Sequence, residues 1–418
     1  VKKADDKAQL LFENCFKVVD GPDAPELTII ELDKELIFHI SNLSTSNNYL
    51  EEYYERDPFI VCPDGDDDCN RYFDFQGYQV FQLYDADVSI TDIHNPDLAR
   101  EVFQCDIKDE ISKIVNYEWD EELAANIPIL EVDGADEGIQ HTFTIVNDEF
   151  SLSSGSLVNN KRYYFIVIAY GFNDYLHYDQ NDPLSISGQK KPYKAGRKGA
   201  LGAIKTYEVI PHIPTPENNG TIVNGEYGYG PKITQISGHG NGNNSLELTE
   251  ETIDEIMSGS PWKSNNPTYE NGLGPIDVKV IDPLNIPDGN YTLEFDSISI
   301  FQTTSFRYSI IKNAKWFIYD ESGDTIYSDS WIALENEQIF PEWGFSISIK
   351  QVGVINEDNQ NLTALDQPDN SAFIEASMTM EDNTKTWLNF VFDGEGYDAF
   401  NWIRSGTQND DTQPDRKS

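Results

Sequence analysis

The sequence predicts a mostly β protein: tandem β-sandwich modules with few short helices. Three observations carry that expectation. Most segments alternate apolar and polar residues and are rich in β-branched and aromatic side chains, as half-buried strands are. Stretches with helical signals are few and short. Clusters of Pro, Gly and Asn cut the chain into strand-rich blocks. With 39% hydrophobic and 12% aromatic residues among 418, the chain has the apolar mass for real cores. It is also longer than the ~250–300 residues a single core usually serves.

Taken in order, a short helix fits residues 5–16, and strands are expected over 35–40 and 76–84. Residues 95–103 read as a helix, because Asn95 can cap it and Pro96 suits its first position. Strands follow over 139–146, 162–170 and 207–210. Pro211, Pro214 and Pro216 then end the first block, since repeated prolines cannot continue a ladder. Residues 218–244, crowded with Gly and Asn, read as a linker or loop. A helix over 249–257 opens with Glu250 and Glu251 and stops before Gly259. Strands over 291–298, 316–319, 345–351 and 373–380 complete the pattern, and the tail from Thr407 is polar and expected to be disordered. The resulting organisation is a remnant of a preceding region (1–25), an elaborated sandwich (26–212), a Gly/Asn-rich linker with one short helix (213–274), a second sandwich (275–355) and a β-containing terminal segment (356–418). The non-methionine start and the polar opening Lys2, Lys3 and Lys7 read as a mature form or a piece of something longer.

Charge narrows the functions. There are 73 acidic against 29 basic residues, a formal charge of −44. A phosphate backbone needs clustered cations to release its counterions, so nucleic acid is excluded as a direct partner, and an anionic membrane face is disfavoured equally. No run approaches the ~18–20 apolar residues that span a bilayer.

Candidate chemistry is sparse. Cys62 and Cys69 bracket a tight acidic loop that a local disulfide closes easily, leaving Cys15 and Cys105 as a second pair. An even count suits an oxidising exterior, and four free thiols is the competing reading. No zinc spacing accompanies these cysteines. Oxygen-rich loops suit Ca2+ as a possible cofactor. The candidates are Asp64, Asp66, Asp67 and Asp68, and Asp174, Asp179 and Asp182 with Asn173 and Asn181. The first is not an EF-hand, because Cys69 stands where that loop needs Gly and Phe75 where it needs Glu. Solvated acidic turns are the alternative for both. Glu101, Asp106, Asp109 and Glu110 offer carboxylates, but without a sugar-binding groove they specify no acid/base site. Hydrolase, metalloprotease, P-loop and dinucleotide motifs are missing from the sequence, and no catalytic residues are nominated. The basic run Lys190, Lys191, Lys194, Arg197 and Lys198 reads as a contact to an acidic surface of the same or a neighbouring subunit, ahead of a polyanion site or a plain solvated loop. Tyr53, Tyr54, Tyr227, Tyr229, and above all Tyr175 and Tyr178, are candidate exposed aromatics for glycan stacking or an interface, with core or loop anchoring the default for most of them.

Two resemblances add to this reading. Phe75-Gln76-Gly77-Tyr78-Gln79-Val80-Phe81-Gln82-Leu83 and Lys161-Arg162-Tyr163-Tyr164-Phe165-Ile166-Val167-Ile168-Ala169-Tyr170 resemble two central strands of a fibronectin type III sandwich, a fold related to the immunoglobulin one. The block is nearly twice an ordinary module of ~90–100 residues, which implies insertions at about 46–72 and 91–138. More widely, the runs 14–25, 75–83, 138–143 and 287–295 and Asn401-Trp402-Ile403-Arg404-Ser405-Gly406 resemble large extracellular proteins of Bacteroidota exported by the type IX secretion system. That likeness implies a secreted or cell-surface location and an architecture, and supplies no catalytic residues; the favoured reading is a noncatalytic structural or adhesive role. The implied partners are other modules of the same polypeptide, surface subunits or glycans. An accessory or glycan-binding part of a secreted polysaccharide hydrolase is the alternative.

Overall fold

The computed structural model describes residues 8–9, 11–12, 18–60, 62, 69–151, 155–218, 220–223, 225–230, 248–258, 268–270, 276–296, 315–349, 352–353, 368–369, 408–410 and 413–414. Two units emerge, Val1–Thr221 and Ile222–Ser418.

In the first unit the strands are β1 (Glu26–Leu32), β2 (Glu35–Ser41), β3 (Tyr54–Arg56), β4 (Tyr72–Leu83), β5 (Ala99–Asp106), β6 (Lys113–Asp120), β7 (Ala125–Asp133), β8 (Thr142–Ile145), β9 (Tyr163–Phe172), β10 (Tyr193–Ala195) and β11 (Tyr207–Val209). One antiparallel sheet has the order β1-β2-β8. The β1–β2 turn is Asp33-Lys34, with Lys34 at φ 59° and its N–H donated to Asn159 Oδ1 at 2.8 Å. In the second sheet β4 and β9 are central. β3 and β5 share the outer edge of β4, while β10 and β11 share that of β9.

The two sheets share one core. Leu36, Phe38 and Ile40 from β2 and Phe143 and Ile145 from β8 meet Tyr78 and Val80 from β4 and Tyr163, Phe165, Val167 and Ala169 from β9. Phe143 stacks on Phe38 and Phe103, and Phe165 meets Phe38 edge-on at 4.9 Å. Such ring pairs add about 0.5–1.5 kcal/mol each to simple burial.

The second sheet is covered on its other face too. Phe81 and Leu83 of β4 and Ile166 and Ile168 of β9 point away from that core, and Val88, Ile93 and Ala99 bury them. This explains the near-continuous apolar run in β9, which a strand with one wet face would not carry. Gly77 sits at a bulge in β4, where a Cβ would collide with the Cys105 carbonyl and lie 2.5 Å from Tyr170 Oη.

Residues 95–103 are not a helix. Asn95 makes a single turn, its carbonyl accepting the N–H groups of Leu98 and Ala99 at 2.9 Å each and its side chain that of Asp97. From Ala99 the chain pairs with β4 across seven positions, and that ladder outweighs the local capping signal.

The second unit holds α1 (Glu250–Met257), β12 (Ile276–Val280), β13 (Tyr291–Asp296), β14 (Lys315–Asp320), β15 (Thr325–Tyr327), β16 (Gln338–Phe340) and β17 (Phe345–Ile349). Thr249 caps α1 by accepting the N–H of Thr252. Two antiparallel sheets, β12-β17-β16 and β13-β14-β15, enclose Trp316, Ile318, Phe340, Phe345, Ile347 and Ile349. At its margin Lys279 Nζ lies 2.9 Å from buried Glu337 Oε1, which also accepts Ser346 Oγ at 2.5 Å. The expectation at 373–380 and most of that at 5–16 lie outside the described residues; Ala8, Gln9, Leu11 and Phe12 are helical. Of the tail expected to be disordered, the described part, Gln408–Asp410 and Gln413–Pro414, pairs as two short antiparallel strands.

Candidate interaction surface

The β6–β7 hairpin is a two-stranded sheet of its own, part of neither larger sheet of the first unit. Its pairs alternate between two faces. Ile114 and Val132 point inward and bury themselves against Tyr170 and Tyr193 on the outer side of the second sheet. A polar network seals the same contact. Gln79 Oε1 accepts Tyr193 Oη at 2.7 Å, while Gln79 Nε2 donates to Glu101 Oε2 at 2.7 Å and to the Glu131 carbonyl at 3.0 Å. Asn116 accepts the Tyr193 N–H and donates to Glu131 Oε1. Burial raises the Glu101 carboxyl above its ordinary range, while the Gln79 bond works to lower it.

The opposite face is partly covered, because Tyr178 packs on Tyr117 and bonds Asn126 there. Val115 pairs with Leu130, Tyr117 with Pro128 and Trp119 with Asn126. Trp119, Leu123 and Leu130 are 61%, 68% and 55% exposed. Asp120, Glu121 and Glu122 run into the tip, whose turn is set by the Leu123 N–H bonding Asp120 Oδ1 and by Ala124 at φ 49°.

The basic run holds two segments of the same chain. The Lys190 carbonyl accepts the Tyr117 N–H at 2.7 Å, and Lys191 Nζ lies 2.7 Å from Glu118 Oε1, holding Glu118 below its usual range. Lys198 Nζ lies 2.9 Å from Asp20 Oδ2, lowering Asp20 and raising Lys198. Burial lowers Lys194, with Arg197 adding repulsion against the pull of Asp57, Asp20 and Glu55. Backbone crosses backbone here: Gly196 has no room for a Cβ against the Pro22 carbonyl, and Gly21, at φ 81°, would place one 2.6 Å from the Ala195 carbonyl. The run therefore spends cations on the hairpin and on the segment before β1.

Tyr175 and Tyr178, the foremost of the candidate exposed tyrosines, are not open. Tyr178 is 2% exposed, its ring edge-on to Tyr117 at 4.8 Å, its hydroxyl accepting Asn126 Nδ2 at 2.7 Å and Lys190 Nζ 5.0 Å from its ring. Tyr175 packs partly into the main core and donates to the Ser187 carbonyl; burial raises its hydroxyl pKa. The β6–β7 hairpin lies over Tyr178, a long-range contact that local composition does not announce. Tyr53 is buried, while Tyr54 and Tyr229 are exposed, Tyr54 stacked on Tyr72 at 4.2 Å. Tyr227 lies beneath Lys279 Nζ.

Asp174, Asp179 and Asp182 do not converge. Asp179 accepts the Asn181 N–H, Asp182 accepts the Leu184 N–H and Ser185 Oγ, and Asp174 lies 3.7 Å from His177 Nδ1. Asn173 is buried, donating to the carbonyls of Asn70 and Tyr72. Among the described residues no group of three or more His, Cys, Asp or Glu side chains is placed to hold a metal ion. Asp64, Asp66, Asp67 and Asp68 lie outside the described residues, as does Cys15. Cys62 and Cys69 form a disulfide. Cys105 is a free thiol, buried on β5, with Sγ 3.5 Å from the Gln140 carbonyl; burial raises its pKa.

Two further polar clusters flank the sheets. Asp106 Oδ1 accepts the N–H groups of Ala135 and Asp136, and Gln76 Nε2 donates to both oxygens of Asp109 at 3.1 Å. Burial pushes Asp106 up to about 6 against those two backbone bonds. Elsewhere His141 Nε2 lies 2.6 Å from Glu51 Oε1, and Tyr78 Oη donates to the same oxygen at 3.3 Å. Leu50 and Glu51 both have positive φ, 56° and 62°. The pair is largely buried, which suits it to fixing that turn on the core.

Sequence reasoning did not single out the exposed apolar residues of the hairpin. The signal available was Trp119, Leu123 and Leu130 bracketing an acidic turn. The chain matches no family model, no curated protein and no solved structure.

Proposed function

We propose that the chain is a noncatalytic, extracellular structural or adhesive segment of a large cell-surface protein or assembly, whose first unit is an elaborated fibronectin III-like sandwich. The strand order supports the fold reading. With the inserted β3, β6 and β7 set aside, and β10 and β11 taken as one interrupted strand, seven strands remain. The first, second and fifth form one sheet and the third, fourth, sixth and seventh the other. The Cys62–Cys69 disulfide is in keeping with an oxidising exterior.

The observation that carries the functional reading is the hairpin, fixed to the body through one face and presenting Trp119, Leu123 and Leu130 on the other side and tip. A rigid sandwich positions it, and contacts made there link the segment to neighbouring modules, to other subunits or to glycans. The test is exposure of the native protein on intact cells. Protease added outside should cleave it without lysis, whereas cleavage only after lysis would overturn the reading. The exposed Trp119 indole favours a second reading, a glycan-binding accessory to a secreted polysaccharide hydrolase. Retention on immobilised polysaccharide that is lost in Trp119→Ala would favour it.

A further inference from the structure

Resting on the reading of this chain as a contact-making segment, we infer that the outward face and tip of the β6–β7 hairpin dock a protein whose apolar socket is rimmed by lysine and arginine. The apolar part comes from Trp119, Leu123 and Leu130, each more than half exposed. Trp is among the residues that most often anchor interfaces, and Leu130, paired with Val115, is exposed on the same side beyond the part that Tyr178 covers.

The charge of the partner follows from how the local cations are used. Lys191 is paired with Glu118, Lys113 with Asp133, and Lys190 lies over the Tyr178 ring. Asp120, Glu121 and Glu122 carry the net charge of the tip. An interface closing over Trp119 and Leu123 brings these carboxylates to its rim, where opposite charge speeds encounter and like charge repels. A second copy meeting face to face would oppose three carboxylates with three more, on a chain whose formal charge is −44. A neutral sugar would leave the acidic rim unanswered. A cationic rim answers it.

The second face of the hairpin explains why the element can bear load. Ile114, Val132 and the Gln79, Tyr193, Glu131 and Asn116 network fix that face to the sheet, and Tyr178 braces the outward face through Tyr117 and Asn126 while Trp119, Leu123 and Leu130 stay exposed. A pre-ordered projection loses little conformational freedom on binding.

The experiment places the photoreactive amino acid p-benzoylphenylalanine at Leu123 in the full chain, with a control at Leu201, an exposed leucine outside the hairpin. Both proteins are illuminated on the surface of the cells that produce them. The expected result is a cross-link at position 123 and not at 201, mapped to a protein segment carrying Lys or Arg. Its yield should fall about tenfold in the Glu121→Lys, Glu122→Lys double variant, with an unchanged melting temperature. No product above the Leu201 control, a product insensitive to charge reversal, a product joining two copies of this chain, or an adduct to glycan alone would each overturn the inference. Surface exposure is scored separately by protease on intact cells, so a surface protein that fails to cross-link sinks the docking site and leaves the location standing.

Discussion

Asp106 and Asp136 hold each other's loops: Asp106 accepts the Asp136 backbone N–H at 3.1 Å, and the Asp136 carboxylate accepts the N–H groups of Asp109 and Glu110 at 2.7 and 2.9 Å. Gly134 lies so close that a Cβ would strike the Asp106 carboxylate. These bonds tie the segments that enter and leave the hairpin.

That arrangement predicts a pH dependence. Asp106 ionises near 3.8 in the unfolded chain and near 6 in the fold, raised by burial. The native state therefore binds this proton more tightly. The group's contribution is complete below about pH 3.8 and is lost as pH rises through 6. Asp106→Asn should gain about 1–2 kcal/mol over the parent protein at pH 7.5 and almost nothing at pH 3.5. Urea midpoints at the two pH values measure this, and an equal shift at both would contradict it.

The bulge at Gly77 predicts a severe packing defect. Gly77→Ala must displace the Cys105 carbonyl and the Tyr170 hydroxyl, both in the interior of the second sheet. A loss of about 3 kcal/mol or more is expected, seen as an early melting transition of the first unit.

How much of this was legible depended on distance along the chain. β2, β4, β8, β9, β13, β14 and β17 each alternate or run apolar, and their positions followed from that. Tyr163–Phe172 pointed to a central strand before its partners were known. β5 did not, because Asn95 and Pro96 imitate a helix start and complete only one turn. β7 hid behind Pro128, which is tolerated there because it pairs only with Tyr117 in a two-stranded ribbon. Tyr178 looked exposed because its neighbours are polar. Its burial depends on Tyr117 and Asn126, more than fifty residues away in sequence.

The Cys62–Cys69 disulfide joins residues seven apart. Closing so short a loop contributes about 2–3 kcal/mol on the chain-entropy account. Cys62→Ser, Cys69→Ser should lower the melting of the first unit alone, since all four cysteines precede residue 222. A calorimetric scan resolving the two units provides the internal reference.

In the second unit Lys279 is pulled down by burial yet held above its ordinary value by the Glu337 charge. Lys279→Met alone leaves Glu337 charged and buried, a cost of about 3–5 kcal/mol. Lys279→Met with Glu337→Leu should recover most of that loss by chemical denaturation, unless the Ser346 bond to Glu337 matters more than the ion pair.

The doubly covered second sheet limits how far this molecule can be pared down. Phe81, Leu83, Ile166 and Ile168 would form a greasy plane on any version trimmed to the length of a plain module by deleting residues 85–98, and removing the hairpin would uncover Tyr170 and Tyr193 beside it. Engineers seeking a minimal domain would obtain an aggregating one, so the added segments are as indispensable to the first unit as the strands they decorate.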